Sequence, residues 1–323
     1  MATAFVTGGS GFLGRNLIPY LREHGWAVRA LARSAAARES VAGLGAEPIA
    51  GDISAPALPA SALGGCDAVF HCAAFADDWG DETIAWEVNV AGTERVLAAA
   101  RTSAVPRFVH VSTEAVLVGG GPIVGVDETR PIPARPLGIY SRTKAEAETR
   151  VLAANAPGFA TIVARPRFIW GAGDTTLLPK LIDAAKSGAL AWIDGGHYRT
   201  STCHVRNVCE GLLAAAERGR AGEIYFLTDG PPIEFRTMIE ALLKTQGVEP
   251  PTREVPRWLA HAAAIATDKT WRWLRLKRRP PITHAAFHLI GEEVTVNDAK
   301  ARRELGYVGR VTREEGLREM TRA

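Results

Sequence analysis

Tyr140 and Lys144 are the residues whose types and spacing most directly suggest chemistry in this chain. They stand four apart in a helical pattern, so their side chains lie on one face of the helix. An ammonium group near a phenol stabilises the phenolate and lowers the tyrosine pKa from its reference of about 10. A tyrosine tuned in this way can donate and accept a proton. Thr113 or Ser112, at the carboxyl end of a predicted strand, can hydrogen-bond the same substrate oxygen.

A glycine turn near the amino terminus is a second motif that bears on the chemistry of Tyr140 and Lys144. Gly8, Gly11 and Gly14 recur at three-residue spacing between a strand-like segment and a helical pattern that starts at Phe12. Glycines permit the sharp turn, the close approach of a pyrophosphate and tight helix–strand packing, and the helix amino terminus attracts phosphate. We interpret the turn as a dinucleotide site. A plain glycine-rich turn and a solvated Tyr-x-x-x-Lys face are the alternatives for the two motifs taken singly.

The end of the second predicted strand indicates the cofactor. Residues 26–32 form that strand, and Arg33 follows, with Arg38 nearby and no carboxylate before Glu39. An acidic residue here would hold the 2′-hydroxyl of NAD, whereas an arginine accommodates the 2′-phosphate of NADP. We therefore predict NADP, with NAD as the less favoured cofactor. An arginine that only faces solvent is the alternative.

Alternating strands and helices set the expected fold. The pattern predicts an α/β protein, a Rossmann doubly wound parallel sheet with a smaller, mostly carboxyl-terminal α+β cap. We assign residues 1–168 to the NADP-binding domain, with 203–230 returning to it, and 169–323 mainly to the substrate-binding cap. One helix is expected over 83–102, a loop over 119–136 and helices over 177–187, 205–218, 235–246, 258–276 and 298–305.

Composition excludes several classes of protein. Hydrophobic residues make up 47% of the 323 residues and charged residues 23%, and the net charge of +3 predicts no nucleic-acid partner. The four cysteines form no C-x-x-C pair and have no histidine spacing typical of zinc, so we predict no metal site and reduced thiols. No apolar run reaches the roughly 20 residues of a membrane span. We expect a cytoplasmic protein, because the first strand begins almost at the first residue.

Taken together, the motifs resemble the extended short-chain dehydrogenase/reductase family over essentially the whole chain. Those motifs are Thr7-Gly-Gly-Ser-Gly-Phe-Leu-Gly14, Asp52-Ile53, His71-Cys-Ala-Ala74, Asn89-Val-Ala-Gly-Thr93, Val111-Ser-Thr113, Tyr140-x-x-x-Lys144 and Arg165-Pro166. The run Arg165-Pro-Arg-Phe-Ile-Trp-Gly-Ala-Gly-Asp174 is most similar to the 3β-hydroxysteroid dehydrogenase group. That group includes reductases of long-chain β-keto acids.

The resemblance implies a role for each matching residue. Thr113 would be the catalytic hydroxyl, Tyr140 the acid/base and Lys144 the lysine that also binds the nicotinamide ribose. The residues expected to contact the cofactor are Gly8, Ser10, Gly11, Phe12, Leu13, Gly14, Arg33, Asp52, Ile53, Ala73, Ala74, Asn89, Ser112, Tyr140, Lys144 and Pro166. Asp52 could accept a hydrogen bond from the adenine amino group, and the two alanines leave room for a ribose.

Departures from the family's sugar-nucleotide enzymes bear on the substrate. Its dehydratases carry Thr-Asp-Glu where this chain has Thr113-Glu114-Ala115, and its epimerases usually have a Tyr-Gly pair where this chain has Val116-Leu-Val-Gly119. We predict an apolar substrate near Trp79, Glu114, Phe168 and Trp192. Arg167 and Arg199 could instead hold a sugar diphosphate, which leaves that alternative open.

The segment 258–279 has the most unusual composition, since tryptophans stand beside Lys277, Arg278 and Arg279. The favoured interpretation is a cap helix whose tryptophans, starting at Trp258, line the core. The alternative is an interfacial helix that makes peripheral membrane contact and takes apolar substrate from a membrane. A homodimer is also left open.

The sequence as a whole predicts an NADP(H)-dependent oxidoreductase. It would interconvert a ketone and a secondary alcohol on an apolar substrate of the 3β-hydroxysteroid or β-keto acyl type, by hydride transfer. The alternatives are a sugar-nucleotide epimerase or dehydratase, and a non-catalytic NADP-binding sensor on the same fold.

Overall fold

The structure, a computed structural model, describes residues 1–56, 58, 62–119, 121–274, 276 and 280–322. Within these residues the strands are β1 (Thr3–Thr7), β2 (Ala27–Ala32), β3 (Glu47–Ala50), β4 (Ala68–His71), β5 (Arg107–Val111), β6 (Ile123–Val126), β7 (Ala160–Pro166), β8 (Ile169–Trp170), β9 (Trp192–Ile193), β10 (Arg199–Thr200), β11 (Cys203–His204), β12 (Ile224–Leu227), β13 (Ile233–Glu234), β14 (Glu254–Val255) and β15 (Val294–Val296). The helices are α1 (Phe12–Glu23), α2 (Ala35–Gly43), α3 (Glu82–Trp86), α4 (Gly92–Thr102), α5 (Ile139–Ala153), α6 (Leu178–Lys186), α7 (Val205–Arg218), α8 (Phe235–Thr245), α9 (Arg257–Trp273), α10 (His284–Ile290), α11 (Ala299–Leu305) and α12 (Arg313–Arg322).

A seven-stranded parallel sheet forms the centre of the molecule, with the order β12-β7-β5-β4-β1-β2-β3. Its middle strands are nearly continuous apolar runs because helices cover both faces. Buried residues of α1 and α7 pack on one face, and those of α4 and α5 pack on the other. The strand order changes direction between β1 and β4, where such folds bind their ligands. The predicted Rossmann fold class is confirmed.

The cap has its own core and a second sheet. That sheet has the order β13-β10-β15-β6, and its strands come from distant parts of the chain. Trp170 and Trp192 lie in the cap core against Met238 and Leu242 of α8. The cap is therefore held together by contacts between segments that are far apart in the sequence.

Two predicted elements differ from the structure. The loop expected over 119–136 contains β6, which pairs with β15 about 170 residues later, so no local pattern reveals it. The helix expected over 83–102 is divided into α3 and α4 by a π-helical turn, Glu87–Ala91. Turns of this kind are frequent at functional sites, and this one carries Asn89. The short α10 was not predicted either.

Helix α9 corrects the favoured interpretation of the tryptophan-rich segment. Trp258 is 72% exposed and Trp273 is 82% exposed, whereas the buried face of α9 consists of Ala260 and Ala264. Trp258 and Trp273 therefore do not line the core, whereas Trp271 is half-buried, and the alanines allow α9 to approach Phe287 of α10 closely. Membrane contact by this segment stays a prediction, and residues 277–279 lie outside the described residues. Among the described helices, none is both long and apolar enough to cross a bilayer.

Candidate functional site

The glycine turn forms a cradle that side chains would fill. Gly8 has φ +70°, and a Cβ atom there would stand 2.7 Å from the backbone nitrogen of Ala73. A Cβ at Gly14 would stand 2.2 Å from the carbonyl oxygen of Gly8. Helix α1 begins after Gly11 with no side-chain cap and no acidic residue in its first turn. Its amino terminus therefore offers free N–H groups and positive charge to a phosphate, so these residues fit a dinucleotide.

The side chains next to the cradle differ in what they can offer. Ser10 is exposed at the turn, whereas Phe12 is buried in the core and Leu13 is half-buried. Only the backbone N–H groups of Phe12 and Leu13 are therefore suited to a polar cofactor. For Ser10 both the hydroxyl and the backbone are accessible.

The end of β2 presents Arg33 to solvent, directly before a helix that the sequence pattern did not predict. Ser34 caps α2 by accepting a hydrogen bond from the backbone nitrogen of Ala37 at 3.1 Å. An exposed guanidinium and a helix amino terminus without acidic residues thus stand together at this point. Both groups attract a phosphate.

The predicted adenine and ribose contacts lie along the same edge of the sheet. Oδ1 of Asp52 accepts from the backbone nitrogen of Ser54 at 2.9 Å, which orients that carboxylate within its turn. Ile53 is buried, Ala73 is half-buried and Ala74 is exposed. The two alanines therefore leave open space next to the glycine cradle.

Asn89 has a structural task. Its Oδ1 accepts from the backbone nitrogen of Phe75 at 2.7 Å, and its Nδ2 donates to the Phe75 oxygen and to Oγ1 of Thr143. Both amide hydrogens are used inside the protein, and the side chain is buried. Asn89 thus holds the loop after β4 against the catalytic helix α5, and its direct contact with the cofactor stays a prediction.

Tyr140 and Thr113 come together where α5 begins beside the end of β5. Gly138, with φ +87°, makes the turn into α5. Thr113 lies close enough to Tyr140 to affect its pKa, and Thr113 Oγ1 donates to Oε2 of Glu114 at 2.9 Å. The predicted hydroxyl pair is therefore adjacent in space.

The pKa of Tyr140 is raised, which corrects the expectation that Lys144 lowers it. Burial is the main cause, the carboxylates of Glu114 and Asp78 add to it, and the bond to Thr113 acts in the opposite direction. A phenol in such surroundings keeps its proton at neutral pH. This protonation state is the one needed to donate a proton to a carbonyl oxygen.

Lys144 is directed to the end of β5. Its Nζ donates to the Val111 carbonyl oxygen at 2.6 Å and contacts Nε2 of His110 at 3.1 Å. Burial lowers the pKa of Lys144 to about 8, against the raising effect of Glu148 and Cys72. Burial also lowers the pKa of His110 well below its usual value, so the neutral ring accepts from Lys144. The sequence pattern did not single out His110.

A buried ion pair anchors the catalytic helix to the sheet. Arg165 on β7 and Glu148 on α5 are paired, with side chains 1% and 0% exposed. Ser112 donates its hydroxyl to Oε2 of Glu148 at 2.6 Å, so it serves this anchor. Pro166 ends β7 beside Leu227 of β12. Glu148 stands one turn after Lys144 on α5, and this helical spacing is the sequence signal from which Glu148 could have been predicted to lie near the site.

On the substrate side, Glu114 pairs with Arg167 at 3.0 Å. Arg167 is buried and also donates to the carbonyl oxygen of Leu289 at 2.7 Å. Phe168 is half-buried with φ 48°, a strained value for a side chain of its size. The structure thus has a buried ion pair beside an aromatic ring, and among the described residues Nε of Arg167 has no hydrogen-bond partner.

The other two predicted substrate residues lie in different surroundings. Trp79 is half-buried in the loop after β4. Trp192 is buried in the cap core, where its indole N–H donates to the Pro251 carbonyl oxygen at 2.7 Å. Trp192 thus packs in the cap core, and its contact with the substrate stays a prediction.

A cavity of about 260 Å³ opens beside the start of α5. It is lined by loop residues Asp78 and Leu137, by Arg142 of α5, and by Thr283 and Ala285 at the start of α10, among others. Helix α10 of the cap therefore closes one side of the catalytic region. A separate cavity of about 320 Å³ lies around α7 and α12, and neither cavity is lined by Thr113, Tyr140 or Lys144.

This chain is similar to known proteins over most of its length. The model of the 3-beta hydroxysteroid dehydrogenase/isomerase family matches residues 5–257. The chain is 52% identical over 99% of its length, and 96% of the relative's, to the 4-hydroxy-2-methyl-3-oxo-4-farnesyl-3,4-dihydroquinoline-1-oxide ketoreductase of Stigmatella aurantiaca. It is 36% identical to the 2-alkyl-3-oxoalkanoate reductase of Stenotrophomonas maltophilia, over 98% of this chain and 97% of that protein.

Solved structures place the chain among the extended short-chain dehydrogenases/reductases. The dTDP-glucose 4,6-dehydratase DesIV of Streptomyces venezuelae, crystallised as a double mutant with NAD and DAU bound, superposes with a TM-score of 0.75 at 25% identity. The match covers 99% of this chain and 95% of that one. The family resemblance inferred from the motifs is confirmed. This chain is an oxidoreductase that interconverts ketones and alcohols with a nicotinamide cofactor, and it belongs to the 3-beta hydroxysteroid dehydrogenase/isomerase family.

Proposed function

We propose that the protein is an NADP(H)-dependent reductase of an apolar ketone, with Tyr140 as the acid/base. The observation that carries this proposal is the position of Tyr140 beside Thr113, whose hydroxyl donates to Glu114, at the edge of the sheet where the glycine cradle lies. The bound nicotinamide supplies or accepts the hydride. A non-catalytic sensor would have no use for this arrangement.

The proposed catalytic residues have different roles toward the substrate oxygen and the cofactor. In reduction, Tyr140 donates its proton to that oxygen as the carbonyl becomes an alcohol. Thr113 can hydrogen-bond the same oxygen if its hydroxyl turns away from Glu114, to which it donates in the structure. Lys144, whose ammonium group is held by the Val111 carbonyl oxygen, would bind the ribose. The raised pKa of Tyr140 suits the direction of reduction.

An apolar substrate is favoured by the state of the two arginines that a sugar diphosphate would need. Arg167 is buried and already bonded to Glu114 and to the backbone of α10. Arg199 donates to the carbonyl oxygen of Pro232. Recruiting Arg167 would break a buried pair, which is costly. The names of the two relatives also describe keto compounds with farnesyl or alkyl chains.

A turnover screen tests this function. Long-chain 3-oxo acids, ketosteroids and farnesylated or alkylated quinolones should oxidise NADPH in the presence of the enzyme, since apolar burial contributes roughly 25 cal/mol per Å². UDP-glucose should neither react nor displace a bound apolar ketone. Micromolar binding of UDP-glucose, with no affinity for any of the ketones, would reverse the choice of substrate class.

Arg33→Ala should weaken NADPH binding and leave NADH binding unchanged. A guanidinium bonded to a phosphate contributes about 1.5–3 kcal/mol, which corresponds to roughly 10–150-fold in dissociation constant. Fluorescence titration of both cofactors measures this effect. Arg101→Ala is the matched control, because that arginine lies near the Phe159 ring at the end of α4. Equal affinities of the wild type for NADH and NADPH would show that Arg33 only faces solvent.

A further inference from the structure

Three histidines of the cap converge on one point, away from Tyr140 and Lys144. His261 lies on α9, and His284 and His288 lie one turn apart on α10. Nε2 of His284 stands 3.2 Å from Nε2 of His261 and 3.3 Å from Nε2 of His288. We call these residues the histidine cluster. The ring nitrogens that could hold a metal ion all lie within 4.8 Å of one another.

Hydrogen bonds alone do not account for this convergence. Nδ1 of His288 stands 2.5 Å from a carboxylate oxygen of Glu292, which can only accept, so Nδ1 carries a hydrogen. In the neutral ring, Nε2 of His288 then has a lone pair. Nε2 of His284 has either one hydrogen or one lone pair, so it can form a linear bond with only one of its two neighbours. Any assignment of protons to neutral rings leaves a close nitrogen pair unsatisfied.

A tetrahedral cation satisfies all three nitrogens together. Zinc binds imidazole nitrogen at about 2.0–2.1 Å, so two nitrogens on a tetrahedral zinc stand about 3.3–3.4 Å apart. The observed separations of 3.2 and 3.3 Å come close to this edge length. Two edges of the histidine cluster thus match a three-histidine zinc site, and a rotation of the His261 or His288 ring would bring the third nitrogen pair, which lies within 4.8 Å, to the same length.

The surroundings of the histidine cluster hold the rings in place. The Glu292 carboxylate on Nδ1 of His288 is the outer partner that metal-binding histidines usually have. His261 stacks on the buried ring of Phe287, with centroids 4.7 Å apart and planes inclined by 21°. The neighbouring charges are the carboxylates of Glu292 and Asp268 and the ammonium of Lys269.

We propose that His261, His284 and His288 form a binding site for a divalent transition metal, Zn²⁺ in particular, that ties α9 to α10. The prediction of no metal site rested on the spacing of the cysteines. The His-x-x-x-His spacing of His284 and His288 on α10 did not enter it. Helix α10 also supplies the Leu289 carbonyl oxygen to Arg167 and packs Ala285 near Gly138 at the start of α5. An ion here would therefore stiffen the part of the cap that closes the catalytic region.

Calorimetric titration of the metal-free, tag-free full chain with ZnCl₂ tests the site. The wild type should bind one Zn²⁺ per chain, and its unfolding temperature should rise with added zinc. His284→Ala and His261→Ala should each weaken binding by more than ~100-fold, because two ligands hold zinc far less well than three. Glu292→Gln should weaken it by about 10–100-fold. His197→Ala, which alters an exposed cap histidine beside Glu234, should bind zinc as the wild type does.

Cobalt substitution identifies the ligands. Co²⁺ in the wild type should show the visible bands of a four-coordinate nitrogen and oxygen site, without the thiolate absorption that the four cysteines would cause. Circular dichroism of each variant without metal checks its fold, and Glu292→Gln retains all three rings if an alanine variant fails to fold. Zinc affinity that is unchanged in His284→Ala, a thiolate spectrum, or a wild type that binds no zinc would each overturn the site.

Discussion

Tyr140→Phe should lower turnover by more than ~100-fold while leaving the fold and NADPH affinity intact, since general acids contribute typically 10²–10⁴-fold. The substitution removes one oxygen atom. In the structure that hydroxyl lies near Thr113, and the pKa of Tyr140 is raised mainly by burial, so the group holds a proton at neutral pH. Without it, the alkoxide formed by hydride addition has no proton donor at its oxygen. Steady-state rates of NADPH oxidation with a saturating ketone measure the loss.

The control for this experiment is Tyr20→Phe, which removes a hydroxyl from a half-buried tyrosine of α1 that stacks on His24. Its turnover should equal that of the wild type. NADPH titration of both variants separates a chemical defect from a binding defect. A turnover of Tyr140→Phe within a few-fold of the wild type would remove Tyr140 from the acid/base role and leave the site without an assigned proton donor.

Glu148→Ala should destabilise the protein by about 3–5 kcal/mol, the usual loss when one partner of a buried ion pair is removed. Arg165 would remain at 1% exposure with its charge unpaired. Ser112 would also lose the acceptor of its hydroxyl. Because α5 carries Tyr140 and Lys144 as well, the defect loosens the catalytic helix at its attachment to β7. Urea unfolding followed by circular dichroism measures the change in the free energy of unfolding.

Glu146→Ala provides a matched control on the same helix. Glu146 pairs with Arg150 at 2.8 Å, but its side chain is 38% exposed, so its removal should cost only about 0–1 kcal/mol. The double variant Glu148→Leu/Arg165→Met should recover much of the lost stability, because apolar residues can replace a buried ion pair. Equal effects of Glu148→Ala and Glu146→Ala would contradict the anchoring role of the buried pair.

Local sequence patterns predicted those features of the protein that depend on residues close together in the sequence. The glycine turn was predictable because only glycine tolerates the positive φ of Gly8 and the close contact at Gly14. Helical spacing placed Tyr140 and Lys144 on one helix, and strand patterns located the parallel sheet. These features predicted the Rossmann fold class and the family, both of which are confirmed. The roles of Tyr140, Lys144 and Arg33 stay predictions.

The tertiary structure decided what depends on contacts between distant segments. Only folding brings Arg167 to Glu114 and Lys144 to His110, and these contacts and burial determine which groups keep their protons. Burial raises the pKa of Tyr140, although the spacing to Lys144 predicted the opposite.

The cap shows the same limit of local patterns. Helical periodicity predicted the bounds of α9 to within a few residues, but it did not predict which face of the helix is buried. Trp258 is exposed, whereas Ala260 and Ala264 are buried. His261 meets His284 across 23 residues of chain. A sequence therefore determines which side chains an element presents, while the partner that each side chain meets follows from how the elements pack. In this protein, packing sets the charges around Tyr140 and joins the three histidines of the cap.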